Sequence, residues 1–163
     1  MIRADNITHN YDTEEVLHNV SFSLRQGSFV AIIGESGSGK STLLSILSSL
    51  LKPTSGLISL LGKKVDEIEN IDAFRNKNIG FVFQFHYLIN YLNVTQNITL
   101  AMNHDDKAYL HALLKNLGIE NIVKKYPYEI SGGQRQRVAI ARALINRLLL
   151  KPNSTNHHYS SMY

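Results

Sequence analysis

Eight consecutive residues, Gly34-Glu35-Ser36-Gly37-Ser38-Gly39-Lys40-Ser41, satisfy the pattern G-x-x-x-x-G-K-[ST] without a gap. These types at this spacing suit one task, the holding of a string of phosphates. Glycines let the loop wrap back so that successive main-chain N–H groups point inward at phosphate oxygens. Lys40 is placed to reach the β- and γ-phosphates, and the Ser41 hydroxyl to ligate Mg²⁺. The plainer alternative is a serine- and glycine-rich turn that merely links a strand to a helix. Agreement at all eight positions, with a buried strand expected before and a helix after, disfavours it.

A second motif, Ile130-Ser131-Gly132-Gly133-Gln134-Arg135-Gln136-Arg137, begins 91 positions after Lys40 if counted from Ser131. Read alone it is a helix N-cap followed by two glycines. A helix start with exposed amides also attracts an anion. With the phosphate loop upstream, it resembles the signature sequence of ATP-binding-cassette (ABC) ATPases. The resemblance implies that Ser131, Gly132, Gly133 and Gln134 close on the γ-phosphate held by the other subunit of a head-to-tail homodimer.

The rest of the resemblance runs in register over residues 1–146 and implies further roles. Tyr11 stands where the family stacks an aromatic ring on adenine; an ordinary exposed loop tyrosine is the alternative. Gln84 matches the glutamine that reaches Mg²⁺ and the attacking water, so the metal residues implied are Ser41 and Gln84. Thr42 completes the phosphate cradle Gly34–Thr42. The aromatic stretch Phe85-His86-Tyr87-Leu88-Ile89-Asn90-Tyr91-Leu92 stands where the family docks on its permease. An exposed apolar patch usually marks an interface, yet packing between two lobes accounts for it equally well. The wording Ile79-Gly80-Phe81-Val82-Phe83-Gln84 looks most like the branch serving macrolide export, lipoprotein release and haem efflux. That branch implies a transmembrane permease of the FtsX/MacB-like type, with few spans and a large extracytoplasmic domain.

One part of the family pattern has no counterpart. The family follows its signature helix with a short strand ending in Asp, then Glu, and later a switch histidine. Here the corresponding stretch reads Arg147-Leu148-Leu149-Leu150-Lys151-Pro152-Asn153, and no Asp or Glu follows Glu129. His157 and His158 come too early for the switch histidine. The expectation is a C-terminally incomplete chain, truncated or out of frame, and inactive in hydrolysis by itself. The rival reading is a truncated, catalytically inactive nucleotide-binding fragment or a pseudogene product. A soluble ABC protein acting on ribosomes or DNA would need two cassettes or a long coiled coil, and neither is present.

Positioning these residues requires particular elements. Ile2–Thr8 and Val16–Leu24 read as strands, with Val20, Phe22 and Leu24 alternating with polar neighbours. Phe29–Ile33 is a continuous apolar run that predicts a buried strand feeding the phosphate loop. Lys40–Leu51 predicts a helix, Leu57–Leu61 a strand, Ile71–Lys77 a helix and Ile79–Phe83 a strand. The middle reads as helical over Val94–Asn103 and Asp105–Leu117, with Asp105-Asp106 as a helix-start pair and Gly118 as the stop. Ser131 is a good N-cap for a helix from Gly132 to about Asn146.

The fold class expected is α/β: a P-loop NTPase core of the ABC ATPase kind, an antiparallel β subdomain and a helical signature subdomain. Residues 1–146 form the partial nucleotide-binding domain, with about 85–146 as the helical part, and 147–163 a disordered tail outside the family pattern. Composition agrees with a globular chain: 163 residues, 44% hydrophobic, 18% charged and no cysteine, so disulfides and thiolate metal sites are excluded. The net charge of +4 is uneven, −1 over residues 1–129 and +5 over residues 130–163. A neutral body does not support a nucleic-acid surface. The five other isolated histidines, His9, His18, His86, His104 and His111, show no metal-ligand spacing. No apolar run approaches the length of a membrane span and no signal peptide opens the chain. The expected location is cytoplasmic, peripheral at the inner face of the membrane, with ATP and Mg²⁺ as cofactors.

Overall fold

The computed structural model describes residues 1–146, which divide into two compact units, Met1–Ile79 and a second beginning at Gly80. The expectations for 147–163, including the stretch Arg147–Asn153 and His157-His158, lie outside the described residues.

The first unit is built on an antiparallel sheet. Strand β1 (Ile2–Tyr11) turns through Asp12 and Thr13 into β2 (Glu14–Leu24), and β3 (Ser55–Leu60) and the short β4 (Lys63–Lys64) follow later in the chain. Their order in the sheet is β2-β1-β3-β4. Ile2 pairs with Leu24 on one side and Leu60 on the other. Asp12 takes a positive φ of 52°, which Asp tolerates better than most residues. One face of the sheet buries Ala4, Ile7, Leu17, Ile58 and Leu60 against Leu43, Ile46 and Leu47 of helix α1 (Lys40–Leu47). That packing fixes the helix whose first turn follows the phosphate loop. Helix α1 ends earlier than the expected Leu51, because Ser48 caps it and Ser49 turns to positive φ. Helix α2 (Ile71–Asn78) starts at Asn70, whose side chain accepts from Ala73 N at 2.9 Å.

Two expected strands are not formed. Phe29–Ile33 has no strand pairing among the described residues, and Phe29 and Ile33 are 97% and 89% exposed. Ile79–Phe83 is likewise irregular. A strand needs a neighbour to take up its N–H and C=O groups. The described sheet, wholly antiparallel, offers neither stretch a ladder, so apolar composition alone did not produce a strand.

The second unit is helical. Helices α3 (Val94–Thr99), α4 (Lys107–Asn116) and α5 (Gly132–Leu144) enclose Val94, Ile98, Leu113, Leu114, Ile119, Ile122, Val138, Ala141 and Ile145. Asp106 caps α4 by accepting from Tyr109 N at 2.9 Å, so that helix starts just after the acidic pair. Helix α3 stops four residues short of the expected Asn103, and α5 stops at Leu144. Asn97 is fully buried in α3 and fully bonded. Its Oδ1 accepts from Ile89 N at 2.7 Å, and its Nδ2 donates to the carbonyls of Ile89, Leu92 and Asn93 at 2.9–3.1 Å. The segment 89–93 is thereby tied to the helix that follows it. Among the described residues no helix is long and apolar enough to cross a membrane.

Candidate functional site

The phosphate loop has the backbone its glycines permit. Gly34, Gly37 and Gly39 take φ of 155°, 84° and 79°, which L side chains rarely adopt. At Gly39 space is also short: a Cβ would lie 2.8 Å from Leu17 Cδ2 and 2.9 Å from Val16 O of β2. The glycine lets the first turn of α1 rest directly on the sheet. Glu35, Ser36 and Ser38 are exposed along the loop. Ser38 N donates to Glu35 O at 3.3 Å, closing a turn. Lys40 reaches back over that turn, and its ammonium donates to Glu35 O and to Ser38 Oγ, the latter at 3.3 Å.

Helix starts separate α1 from the others. Helices α2, α3, α4 and α5 each have a side chain that accepts from their first-turn N–H groups: Asn70, Asn93, Asp106 and Ser131. Helix α1 begins on Gly39, has no side-chain cap and carries no acid in its first turn. Its opening amides therefore lack the acceptor that helix ends require, and the partial positive charge of the helix end goes unanswered. Lys40, exposed Ser41 and half-buried Thr42 stand at that end. The arrangement can hold an anion. Tyr11, half exposed at the end of β1, brings its hydroxyl to 3.5 Å from Thr42 Oγ1. Its ring meets His9 edge-on at 4.8 Å between centroids. The structure thus brings Tyr11 and the loop together.

The remaining residues of interest belong to the second unit. Ser131 and Gln134 form a reciprocal capping box. Ser131 Oγ accepts from Gln134 N at 3.3 Å, and Gln134 Oε1 accepts from Ser131 N at 2.9 Å. Gly132 and Gly133 are exposed, and a Cβ on either would meet nothing within 4 Å. Neither has a positive φ. Glycine inside a helix costs roughly 1 kcal/mol relative to alanine, and among the described residues no neighbour asks for it here. Gln84 is exposed in a turn after Phe83. Beyond it Phe85 and Tyr91 are 75% and 81% exposed, while Phe83 contacts Phe81 and Tyr87 at centroid distances of 4.3 and 5.0 Å.

Comparison with known proteins adds the decisive observation. The profile of the family described as "ABC transporter" matches residues 17–150. The chain belongs to the ABC transporter family. The lipoprotein-releasing system ATP-binding protein LolD of Aquifex aeolicus (strain VF5) is 46% identical over 158 residues, covering 92% of this chain and 70% of that protein. Among solved structures, the dimeric bacterial ABC transporter cassette MJ0796 superposes with a TM-score of 0.82 at 36% identity, covering 90% of this chain and 70% of that one. A second dimeric structure of MJ0796, in a post-hydrolysis state bound to ADP and Pi, gives 0.81 at 35% identity. The α/β P-loop fold class expected from the sequence is therefore that of this ABC chain. Of the two functional readings, the ATP-binding subunit of a transporter is the one these relatives support.

Two residues of this ABC chain were not singled out by their sequence context, Asn97 and Arg142. Arg142 interrupts the apolar run Val138–Ile145, and Asn97 shares the buried side of its helix with Val94 and Ile98. A polar side chain at a buried helical position is the signal that marks them.

Proposed function

We propose that residues Gly34–Thr42 cradle the phosphates of ATP, that Lys40 offsets their charge and that Tyr11 stacks on the adenine. The uncapped start of α1 carries this reading: four other helices supply their own acceptor, and the helix behind the glycine loop supplies none. A phosphate group is the acceptor such an end takes. Lys40, now satisfied by a loop carbonyl and a serine hydroxyl, has a stronger partner in a phosphate oxygen.

Mg²⁺ is read as bound by Ser41, whose exposed hydroxyl beside the loop is an oxygen donor of the kind the ion takes, and the family resemblance assigns Gln84 to the same ion. When bound, the ion offsets charge shared by the β- and γ-phosphates. Ser131–Gln134 are read as the surface that closes on the nucleotide of a second copy, head to tail. The open faces of Gly132 and Gly133 support this, because they leave room for another molecule's close approach. The exposed aromatics after Gln84 are read as the docking surface for a transmembrane permease of the FtsX/MacB-like type, with the chain at the cytoplasmic face of the membrane. The LolD relative supports the lipoprotein-release side of that branch. Residues 1–146 are the nucleotide-binding domain in this reading and 85–146 its helical part. ATP hydrolysis by the 163-residue chain alone is proposed to stay at background, since no carboxylate follows Glu129.

Calorimetry with Mg·ATP tests the core of the proposal. Lys40→Ala is expected to weaken binding by about 1.5–3 kcal/mol, the range for a charge-assisted hydrogen bond. Equal affinity of the two proteins would remove Lys40 from the site.

A further inference from the structure

Arg142 lies on α5 eleven residues after Ser131, about 16 Å along the helix. Its neighbours Ala141 and Ile145 are buried. Burial draws the guanidinium out of water and pulls its pKa below the usual arginine value. Among the described residues no carboxylate pairs with it. Instead Nη1 donates to Tyr87 O at 2.8 Å and Nη2 to His86 O at 2.6 Å. The two carbonyls belong to consecutive residues with positive φ, 63° and 45°, and neither is glycine. Side-chain-bearing residues hold that conformation only when their surroundings enforce it. The planar fork of an arginine, with two parallel donors, matches a pair of adjacent acceptors in a way that a lysine does not.

We propose that Arg142 is a positioning residue that fixes the His86–Tyr87 turn and couples it to the signature helix. Through it, a displacement at the Ser131 end of α5 is carried to the exposed aromatic segment next to Gln84. The inference rests on the reading given above, in which Ser131–Gln134 meet nucleotide and the segment after Gln84 meets the permease. Helix α5 is a stiff element of 13 residues whose Val138 and Ala141, with Ile145 at its C-cap, join the apolar core. Arg142 is its only described hydrogen-bonding link to residues 84–92. The other fastening of this segment, Asn97, belongs to α3 and grips residues 89–93. Residues 86 and 87 are thus hydrogen-bonded to α5, and residues 89, 92 and 93 to α3.

The full 163-residue chain serves for the test. His86 N donates to Phe83 O and Tyr87 N to Phe85 O, so both amides report on the turn by hydrogen exchange. Arg142→Ala should speed exchange at these two amides at least tenfold while Val94–Leu117 keep their protection. Arg142→Lys, which keeps the charge and can reach one carbonyl, should give a smaller local change. Unchanged exchange at His86 and Tyr87 in both variants, or loosening spread evenly over the second unit, would overturn the positioning role. If the alanine variant does not fold, the lysine variant decides by the same two outcomes.

Coupling is read separately. The chain has no cysteine, so Phe85→Cys accepts a single nitroxide label on the exposed segment. Addition of Mg·ATP at protein concentrations that give dimers should alter the label's spectrum in the parent and leave it unaltered in Arg142→Ala, with calorimetric affinity the same in both. An equal response in both proteins would overturn the coupling. Absence of Mg·ATP binding in the parent would instead defeat the functional reading, and the exchange result would still decide the role of Arg142.

Discussion

Gly56 and Gly37 share a positive φ, 94° and 84°, and have opposite surroundings. A Cβ on Gly56 would fall 2.4 Å from Asn6 O and 2.7 Å from Asp5 O, main-chain atoms of β1 that cannot step aside. Gly37 has nothing within 4 Å of the same position. Gly56→Ala should therefore combine left-handed strain with overpacking, about 2–4 kcal/mol, and reduce exchange protection along the β1–β3 ladder roughly 30- to 1,000-fold. Gly37→Ala should carry only the strain, about 1–2 kcal/mol, and leave that ladder unchanged. Amide exchange of β1 and β3 in the two variants compares them directly. Gly37 thus serves the turn of the loop backbone, whereas Gly56 permits a close crossing of strands.

At the scale of elements, capping decides where helices begin and what they can bind. Ser131→Ala removes the acceptor for Gln134 N and half of the reciprocal box. About 1 kcal/mol of local stability should be lost, seen as roughly fivefold faster exchange at Gln134 N. Protection unchanged at that amide would mean that the box adds nothing to the helix start. The starts of α4 and α5 were legible in the sequence, because a cap is a short-range matter of one side chain and one amide: Asp106 and Ser131 both stand where their spacing puts them. Phe29–Ile33 and Ile79–Phe83 were misread for the opposite reason, since a strand depends on neighbours that its own residues cannot specify. Asn97 and Arg142 escaped notice because their partners are main-chain atoms, which leave no mark in the one-letter text.

At the scale of the whole chain, exposure of Phe29 and Ile33 has a thermodynamic cost. Large apolar side chains at 97% and 89% exposure forgo about 1.5–3 kcal/mol each relative to burial. The 163-residue chain is expected to bind a dye such as anilinonaphthalene sulfonate and to melt without a sharp transition. A steep two-state melt from a monodisperse monomer would contradict this. Turnover is a property of the whole chain too. Losing a general base typically lowers a rate 10²–10⁴-fold. In the proposed background turnover, neither Glu129, two residues before Ser131, nor Glu35, in the glycine loop, is taken as the water-polarising glutamate that the family resemblance implies. Phosphate release in steady state should equal that of Lys40→Ala. A higher rate that vanishes with the Lys40 substitution would show that a carboxylate of this chain polarises the water after all.

The clasp on residues 86–93 has one more consequence, and it concerns inheritance. Arg142 and Asn97 grip only carbonyl and amide groups of that stretch. The shape of the segment is consequently written in part by two residues outside it, while among its own side chains Leu88 packs on the core and Asn93 caps α3. Phe85, Tyr87 and Tyr91 can be exchanged for others over generations without redrawing the backbone that displays them. On the proposed reading of this segment as a docking surface, a lineage holding this clasp can acquire a new permease by altering three exposed rings, and keep the backbone behind them untouched.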